Sequence, residues 1–133
     1  MTHQSCLAHL RIVIVEDEAM IAMLMDDVLS DAGATIVGRA GTVAAAVALI
    51  ERERPDAVTL DGNLQGELSG PVARQCEALG VRYMVVTGYV EKTLSEPRLA
   101  AAPRLVKPFT ASGLIAAAEA HLCAQGNMYP RYP

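Results

Sequence analysis

Short apolar runs alternate with longer stretches of helical periodicity along this chain of 133 residues. The runs are rich in Val, Ile, Leu or Tyr, which favour strands. Five of them are strand candidates: residues 10–15, 35–38, 57–60, 83–87 and 104–106. Because parallel strands need crossover connections, which helices supply, the alternation predicts an α/β fold in which helices cover both faces of a five-stranded parallel sheet.

Helix boundaries follow from the capping, proline and glycine positions. The predicted helices are 19–31, 43–53 behind a Thr42 cap, Gly70-Pro71 to Gly80, and Thr110 to near Gly126. Threonine caps helix N-termini, proline suits the first turn, and glycine ends helices. In the first helix we expect Met20, Met23 and Met25 to pack in the core and along its edge.

Length and composition indicate one globular domain. A content of 52% hydrophobic and 20% charged residues excludes intrinsic disorder. A chain of 133 residues is long enough for a single core. We predict an N-terminal extension over residues 1–9, one domain over 10–125 and a flexible tail over 126–133.

Charge and hydropathy speak against two classes of partner. The net charge is −4 and no Lys/Arg cluster exists, which speaks against nucleic acid as the main partner. No stretch approaches the roughly 18 uninterrupted apolar residues of a membrane span. The start also lacks the basic and apolar regions of a signal peptide, so we expect a cytoplasmic protein without a membrane partner.

The cysteines Cys6, Cys76 and Cys123 are odd in number and far apart in the sequence. In a cytoplasmic protein this distribution favours reduced, mostly packed thiols over a disulfide framework or a zinc site. We therefore expect all of them to be free.

Polar side chains stand at the ends of four of the apolar runs. Glu16 and Asp17 follow the first run, Asp61 follows the third, Thr87 ends the fourth and Lys107 follows the fifth. The separation of Asp17 from Asp61 fits two βα units. The separations of Asp61 from Thr87 and of Thr87 from Lys107 fit one unit each. Because the carboxyl ends of parallel strands meet at one edge, where ligands bind, we predict that these side chains form one site.

The charges of this predicted site indicate its chemistry. Three carboxylates and one ammonium give a sum of −2, and carboxylates crowded in this way repel one another unless a cation intervenes. Mg²⁺ suits the site because it prefers oxygen ligands and combines carboxylates with phosphate oxygens. Asp61 would then stay ionised as a nucleophile, while Lys107 and Thr87 would interact with the transferring phosphoryl oxygens.

In these residues the chain resembles the receiver domains of two-component response regulators, over residues 10–124. The resemblance rests on the acidic pair in Val-Glu-Asp-Glu, on Asp61, on Thr87 and on Lys107-Pro108-Phe109. The segments Asp-Gly-Asn-Leu-Gln-Gly-Glu and Val-Val-Thr-Gly-Tyr are similar to those of stand-alone receivers common in alphaproteobacteria. The resemblance implies a flavodoxin-like fold with strand order 2-1-3-4-5.

The resemblance also implies roles for the residues of the site. Asp61 would be the phosphoacceptor, assisted by Thr87 and Lys107. Mg²⁺ would be held by Asp17, Asp61 and the backbone carbonyl of Asn63, with Glu16 acting through a bound water. Such a protein is a signalling domain and not a classical enzyme. It would take phosphate from a histidine kinase or phosphotransfer protein and act on a downstream protein.

The chain departs from the family pattern at three places. Gln65 stands where the family usually has proline, and the loop that leads to Gly70 is one residue longer than usual. Arg104 replaces the aromatic switch residue that usually stands three before the lysine. The family's coupling, in which an aromatic ring turns inward, therefore cannot be carried over.

We expect the segment Tyr89–Pro103 to be the mobile part and the signalling surface. A short helix beginning at Pro97 is predicted there, because proline is tolerated at a helix start. Arg104 is expected to stay near the surface, over Tyr89, since a buried guanidinium needs a partner. Tyr89 itself either shields the site from attacking water or is a simple rim residue.

Two other functions fit parts of the pattern. A haloacid-dehalogenase-like phosphatase also uses an Asp nucleophile, Thr and Lys around Mg²⁺, but it needs a second Asp where Asn63 stands. A phosphorylation-independent interaction module built on the receiver fold is favoured only by Arg104. The intact set of acidic residues, Thr87 and Lys107 counts against it.

Overall fold

The computed structural model describes residues 5–88 and 95–123. Its strands are β1 (Arg11–Val15), β2 (Thr35–Ala40), β3 (Ala57–Leu60), β4 (Asn63–Leu64), β5 (Glu67–Leu68), β6 (Arg82–Thr87) and β7 (Arg104–Val106). Its helices are α1 (Ala19–Asp31), α2 (Val43–Glu53), α3 (Gly70–Leu79), α4 (Pro97–Ala101) and α5 (Ala111–His121). The five strands and the helices predicted from the sequence are thus confirmed.

The main sheet has the strand order β2-β1-β3-β6-β7, and all of its pairings are parallel. This is the predicted flavodoxin-like order, since β6 and β7 are its fourth and fifth strands. β1 and β3 lie side by side at the centre, and β6 lies next to β3. The carboxyl ends of the strands therefore meet at one edge.

Two apolar cores cover the two faces of the sheet. Successive side chains of a strand point to opposite faces. Val13 and Val15 accordingly pack with α2 and α3, whereas Ile12 and Ile14 pack with α1 and α5. Each of these four side chains has at most 1% of its surface exposed, as a parallel sheet covered on both faces requires.

Capping residues fix where the helices begin. The Thr42 hydroxyl accepts the Ala45 N–H at 3.1 Å, and the Thr110 hydroxyl accepts the Gly113 N–H at 2.9 Å. Gly80 ends α3 in the left-handed conformation, with φ +71°. α5 ends at His121. Gly126 and the predicted tail lie outside the described residues.

The prediction that the methionines of α1 pack in the core is wrong for two of the three. Met25 is 1% exposed, but Met20 is 83% and Met23 is 54% exposed. α1 is apolar on more than one side, so its periodicity allows two stripes. The stripe of Ala22, Met25 and Leu29 packs against the sheet, and the other apolar stripe faces outward.

The prediction of free thiols is also wrong for two of the three cysteines. Cys6 and Cys123 form a disulfide across 117 residues of sequence, and only Cys76 is free and buried. The sequence separation conceals their proximity, because the turn before β1 packs beside the end of α5. Leu7 in that turn belongs to the same apolar core as Leu122.

No helix within residues 5–88 and 95–123 combines the length and apolar composition needed to cross a membrane.

Candidate functional site

Three carboxylates meet at the carboxyl edge of the sheet. Glu16 and Asp17 follow β1, and Asp61 follows β3, the neighbouring strand. Each of the three can offer one oxygen such that all the oxygens lie within 4.8 Å of one another. Glu16 and Asp61 are buried, with 4% and 6% of their surface exposed. The predicted convergence of the acidic residues is confirmed.

Lys107 neutralises part of this charge. Its Nζ lies 2.7 Å from Glu16 Oε1 and 3.0 Å from Asp61 Oδ2, and its side chain is only 15% exposed. The Lys107–Pro108 peptide bond is cis. The backbone N–H of Lys107 donates to the Thr87 carbonyl at 2.9 Å, which brings the end of β6 beside the end of β7. Thr87 is 2% exposed.

A two-residue hairpin turn follows Asp61, where the sequence indicated only a longer loop. β4 pairs antiparallel with β5 through Gln65 and Gly66, whose φ values are +53° and +93°. Positive φ at both turn residues is the geometry of a type I′ hairpin turn. Proline is fixed near φ −65°, so the usual family proline cannot occupy position 65 in this conformation.

The hairpin connects two of the three carboxylates through backbone donors. The Gln65 N–H donates to Asp17 Oδ2 at 3.1 Å, and the Asn63 N–H donates to Asp61 Oδ1 at 3.0 Å. The Asn63 side-chain oxygen accepts the Gly66 N–H at 2.7 Å and so closes the turn. Asn63 therefore lies beside Asp61, as predicted, while the contact from Gln65 was not foreseen.

Ser69 is a further residue of the site that sequence reasoning missed. It is fully buried, its hydroxyl donates to the Asp61 carbonyl oxygen, and its N–H donates to the Gly62 carbonyl at 3.0 Å. These bonds join the start of α3 to the backbone that presents Asp61. A serine before Gly-Pro carries only a helix-start signal in the sequence, which is why its second role was not visible.

A family model described as "Response regulator receiver domain" matches residues 12–119. The chain belongs to this family. The predicted family is confirmed, and the chain is accordingly a signalling domain of the two-component type.

Relatives of the receiver differ in how far they extend beyond it. The "Transcriptional regulatory protein PdtaR" of Mycobacterium tuberculosis is 36% identical over 112 residues, which are 82% of this chain and 55% of that protein. This chain therefore spans about half the length of that curated relative.

Solved structures include receivers of similar size. SdrG from Sphingomonas melonis Fr1 is 41% identical with a TM-score of 0.70, and the match covers 85% of this chain and 94% of that one. The PhyR receiver domain of Erythrobacter litoralis is 25% identical with a TM-score of 0.74, covering 85% of this chain and 89% of that one.

The donor set of this receiver fits Mg²⁺. Three carboxylates supply only oxygen ligands, and their summed charge with Lys107 is negative. Glu16, Asp17 and Asp61 could each offer one carboxylate oxygen to such an ion. The backbone donors on Asp17 and Asp61 would hold these ligands in orientation.

The titration of Glu16 reflects its surroundings. The pKa of its carboxyl is raised from 4.5 to about 7, chiefly by burial and also by the Asp61 charge, against the lowering effect of the hydrogen bond from Lys107. Burial lowers the pKa of Lys107, but its bonds to Glu16 and Asp61 outweigh this and raise it above its usual value. Lys107 therefore stays charged.

The raised pKa of Glu16 predicts a pH-dependent stability of the metal-free protein. Folded Glu16 binds a proton that the unfolded chain releases above about pH 4.5, so unfolding free energy falls as pH rises from about 5 to 7. The full loss is at most about 3 kcal/mol.

Denaturant titration with a chelator at pH 5 and pH 8 measures this loss of unfolding free energy. Glu16→Gln should remove most of the loss, whereas Glu67→Gln, on an exposed hairpin residue, should retain it. An unchanged loss in Glu16→Gln would contradict the assignment.

Arg104 has partners other than the one expected from the sequence. Its guanidinium donates to the carbonyls of Leu99 and Ala100 at 3.1 and 2.9 Å, and the residue is partly buried. The carbonyl end of a short helix carries partial negative charge, which satisfies an arginine without a carboxylate. Tyr89, the partner named from the sequence, lies outside the described residues.

The predicted helix that starts at Pro97 is confirmed, with its first turn capped by Glu96 at 3.0 Å from the Arg98 N–H. Arg98 in turn pairs with Glu77 of α3 at 2.9 Å. Arg104 thus contacts the carboxyl end of α4, and α4 also forms an ion pair with α3. At the position of Arg104 the family has an aromatic ring that can rotate.

Proposed function

We propose that this chain is a cytoplasmic response regulator that accepts a phosphoryl group on Asp61 from a histidine kinase or phosphotransfer protein, with Mg²⁺ bound. The observation that carries the proposal is Lys107 Nζ, which lies between Asp61 and Glu16 beside the third carboxylate. An ammonium and a metal site that flank one carboxylate are what transfer of an anionic phosphoryl group requires.

The reaction places each residue in a distinct role. A carboxylate oxygen of Asp61 forms the new bond to phosphorus. The bond from phosphorus to the donor histidine breaks, its electron pair returns to the imidazole nitrogen, and the ring takes up one proton from solvent and leaves as neutral imidazole. Lys107 would shift from Asp61 toward a phosphoryl oxygen, and the Thr87 hydroxyl would donate to another. Bound Mg²⁺ supplies positive charge for the phosphoryl oxygens.

The output of the phosphorylated form is part of the same proposal. We infer that the phosphorylated receiver signals by binding a downstream protein or by passing phosphate on. PdtaR is named as a transcriptional regulatory protein, but this chain matches only 55% of it. A transcriptional output therefore does not carry over, and the downstream protein is proposed only as a protein partner.

A phosphorylation-independent interaction module is the second candidate function. Arg104 favours it, since its bonds to Leu99 and Ala100 replace a rotating aromatic ring. A phosphatase of the haloacid-dehalogenase type is disfavoured, because the amide of Asn63 cannot act as the general acid that protonates a leaving group.

Phosphoryl transfer from a small donor separates these candidates. We expect acetyl phosphate with Mg²⁺ to add one phosphoryl group per chain, seen as a single mass increase in the intact protein. A chelator should prevent the addition. A radiolabelled panel of phosphorylated kinases then identifies the donor. Absence of any transfer from both kinds of donor would favour the interaction module.

The hairpin turn is expected to tune metal affinity through the Gln65 N–H on Asp17. Gly66→Ala introduces a side chain at φ +93°, where a Cβ meets no atom within 4 Å, so its effect is backbone strain alone. Relaxation of the turn should displace that N–H and weaken Mg²⁺ binding about tenfold, the low end of the range for ligand-orienting groups.

Gly80→Ala is the matched control for this prediction. It has the same open surroundings at φ +71° but ends α3, away from the carboxylates. Calorimetric Mg²⁺ titration should show unchanged affinity for Gly80→Ala. Equal affinities in both variants would remove Gln65 from any orienting role.

A further inference from the structure

A second reactive group lies at the edge of the sheet opposite Asp61. Cys6 precedes β1 and Cys123 follows α5, and their Cα atoms are 5.9 Å apart. Helices of a βα unit run antiparallel to its strands, so the start of β1 and the end of α5 share the amino edge. Cys6 is exposed, whereas Cys123 is 3% exposed.

The two cysteines are held together by contacts other than their own bond. Leu7 is fully buried in the core that also contains Leu122. The Ser5 hydroxyl donates to Glu119 Oε2 of α5 at 2.7 Å, and the His9 N–H donates to the Gly33 carbonyl at 3.0 Å. Because these contacts do not involve the sulfurs, we expect the turn to stay docked after reduction, which would give the two thiols a high effective concentration for each other.

We propose that Cys6 and Cys123 form a reversible thiol–disulfide site that exchanges with low-molecular-weight thiols of the glutathione class. Oxidation balances as two protein thiols plus one glutathione disulfide giving the protein disulfide and two glutathione thiols. In the reducing direction, a glutathione thiolate attacks exposed Cys6 Sγ and displaces the Cys123 thiolate. A second glutathione then takes the first from Cys6 and leaves as the disulfide.

The third cysteine supplies an internal contrast. Cys76 is fully buried on the other face of the sheet, and burial raises the pKa of its thiol to about 12. Reaction with disulfides needs a thiolate and access, and Cys76 lacks both. Thiol–disulfide exchange of the native chain is therefore confined to Cys6 and Cys123.

The location of the pair determines what a change of redox state alters. The bond closes a loop of 117 residues, so its reduction increases the entropy of the unfolded chain and lowers stability. The phosphoryl site lies at the opposite edge and keeps its contacts. A cytoplasmic location for this chain rests on the proposed function. Disulfides in the cytoplasm are usually transient and redox-sensing, so this bond would report oxidation.

Glutathione titration of the full chain tests the site. The protein is equilibrated with mixtures of glutathione and its disulfide, quenched with an alkylating reagent, and analysed by intact mass and peptide mapping. We expect the Cys6–Cys123 disulfide to form along this titration. Its midpoint should correspond to an effective concentration of one thiol for the other in the millimolar range or above. Reduction should lower Tm by about 10 °C.

Single-site variants decide the assignment. Cys6→Ser alters an exposed position and should fold, with the same Tm in oxidising and reducing buffer. Cys76→Ser should keep the redox-dependent shift. Stable glutathione adducts on Cys6 without the internal disulfide, or a Tm shift that persists in Cys6→Ser, would overturn the proposal.

Acetyl phosphate labelling of oxidised and reduced protein at low temperature is a separate readout. Equal labelling would support the inference that the redox change affects only the amino edge of the sheet, and unequal labelling would contradict it.

Discussion

Asp61→Asn protein is expected to incorporate no phosphoryl group from acetyl phosphate and Mg²⁺. Asp61 is the carboxylate that both Lys107 Nζ and the Asn63 N–H contact, at 3.0 Å each. An amide in its place keeps the shape but removes the charge and the nucleophilic oxygen pair, so no acyl phosphate forms. Intact mass spectrometry of variant and parent under one condition measures the loss.

Asp27→Asn is the control for this prediction. Asp27 lies on the exposed side of α1, and its replacement makes the same change of charge. It should be labelled to the same extent as the parent. Labelling of Asp61→Asn at the parental level would show that another residue accepts the phosphoryl group.

Lys107→Met is expected to lower the unfolding free energy of the metal-free protein by about 3 kcal/mol at pH 8, because buried Glu16 and Asp61 lose their cation. The loss should shrink at pH 5, where Glu16, with a pKa of about 7, takes up a proton. Removal of this charge should also slow phosphoryl transfer about 100-fold, as for other groups that stabilise developing charge. Denaturant titration with a chelator and time-resolved labelling measure the two effects.

Lys107→Arg separates charge from geometry. Its guanidinium keeps the positive charge, so most of the stability should remain, while the planar group cannot reproduce the position of Nζ between two carboxylates. Transfer should therefore stay slow. A Lys107→Met protein as stable as the parent at pH 8 would contradict the role of Lys107 as the counter-charge.

The sheet and the carboxylate site were predictable because both depend on local pattern and chain order. Buried parallel strands are continuous apolar runs, and the polar residue that ends each run must lie at the carboxyl edge. Glu16, Asp61 and Lys107 needed no further information to be placed together. Thr42 and Gly80 likewise signalled the ends of their helices.

The features that escaped prediction depend on contacts between distant segments. The Cys6–Cys123 bond needs the turn before β1 to pack on α5, which no local pattern indicates. The outward stripe of α1, with Met20 and Met23, is chemically indistinguishable from its buried stripe. The partners of Arg104 are carbonyl groups, which every residue carries and which leave no mark in a sequence.

The most direct test of the central claim is chemical trapping of the phosphorylated residue. Borohydride reduces an aspartyl phosphate to homoserine, so the acceptor is recorded as a permanent mass change in one peptide. After treatment with a phosphorylated donor and Mg²⁺, we predict homoserine at position 61 and at no other aspartate. Recovery of phosphoryl label without homoserine at position 61, or with homoserine elsewhere, would contradict Asp61 as the phosphoacceptor.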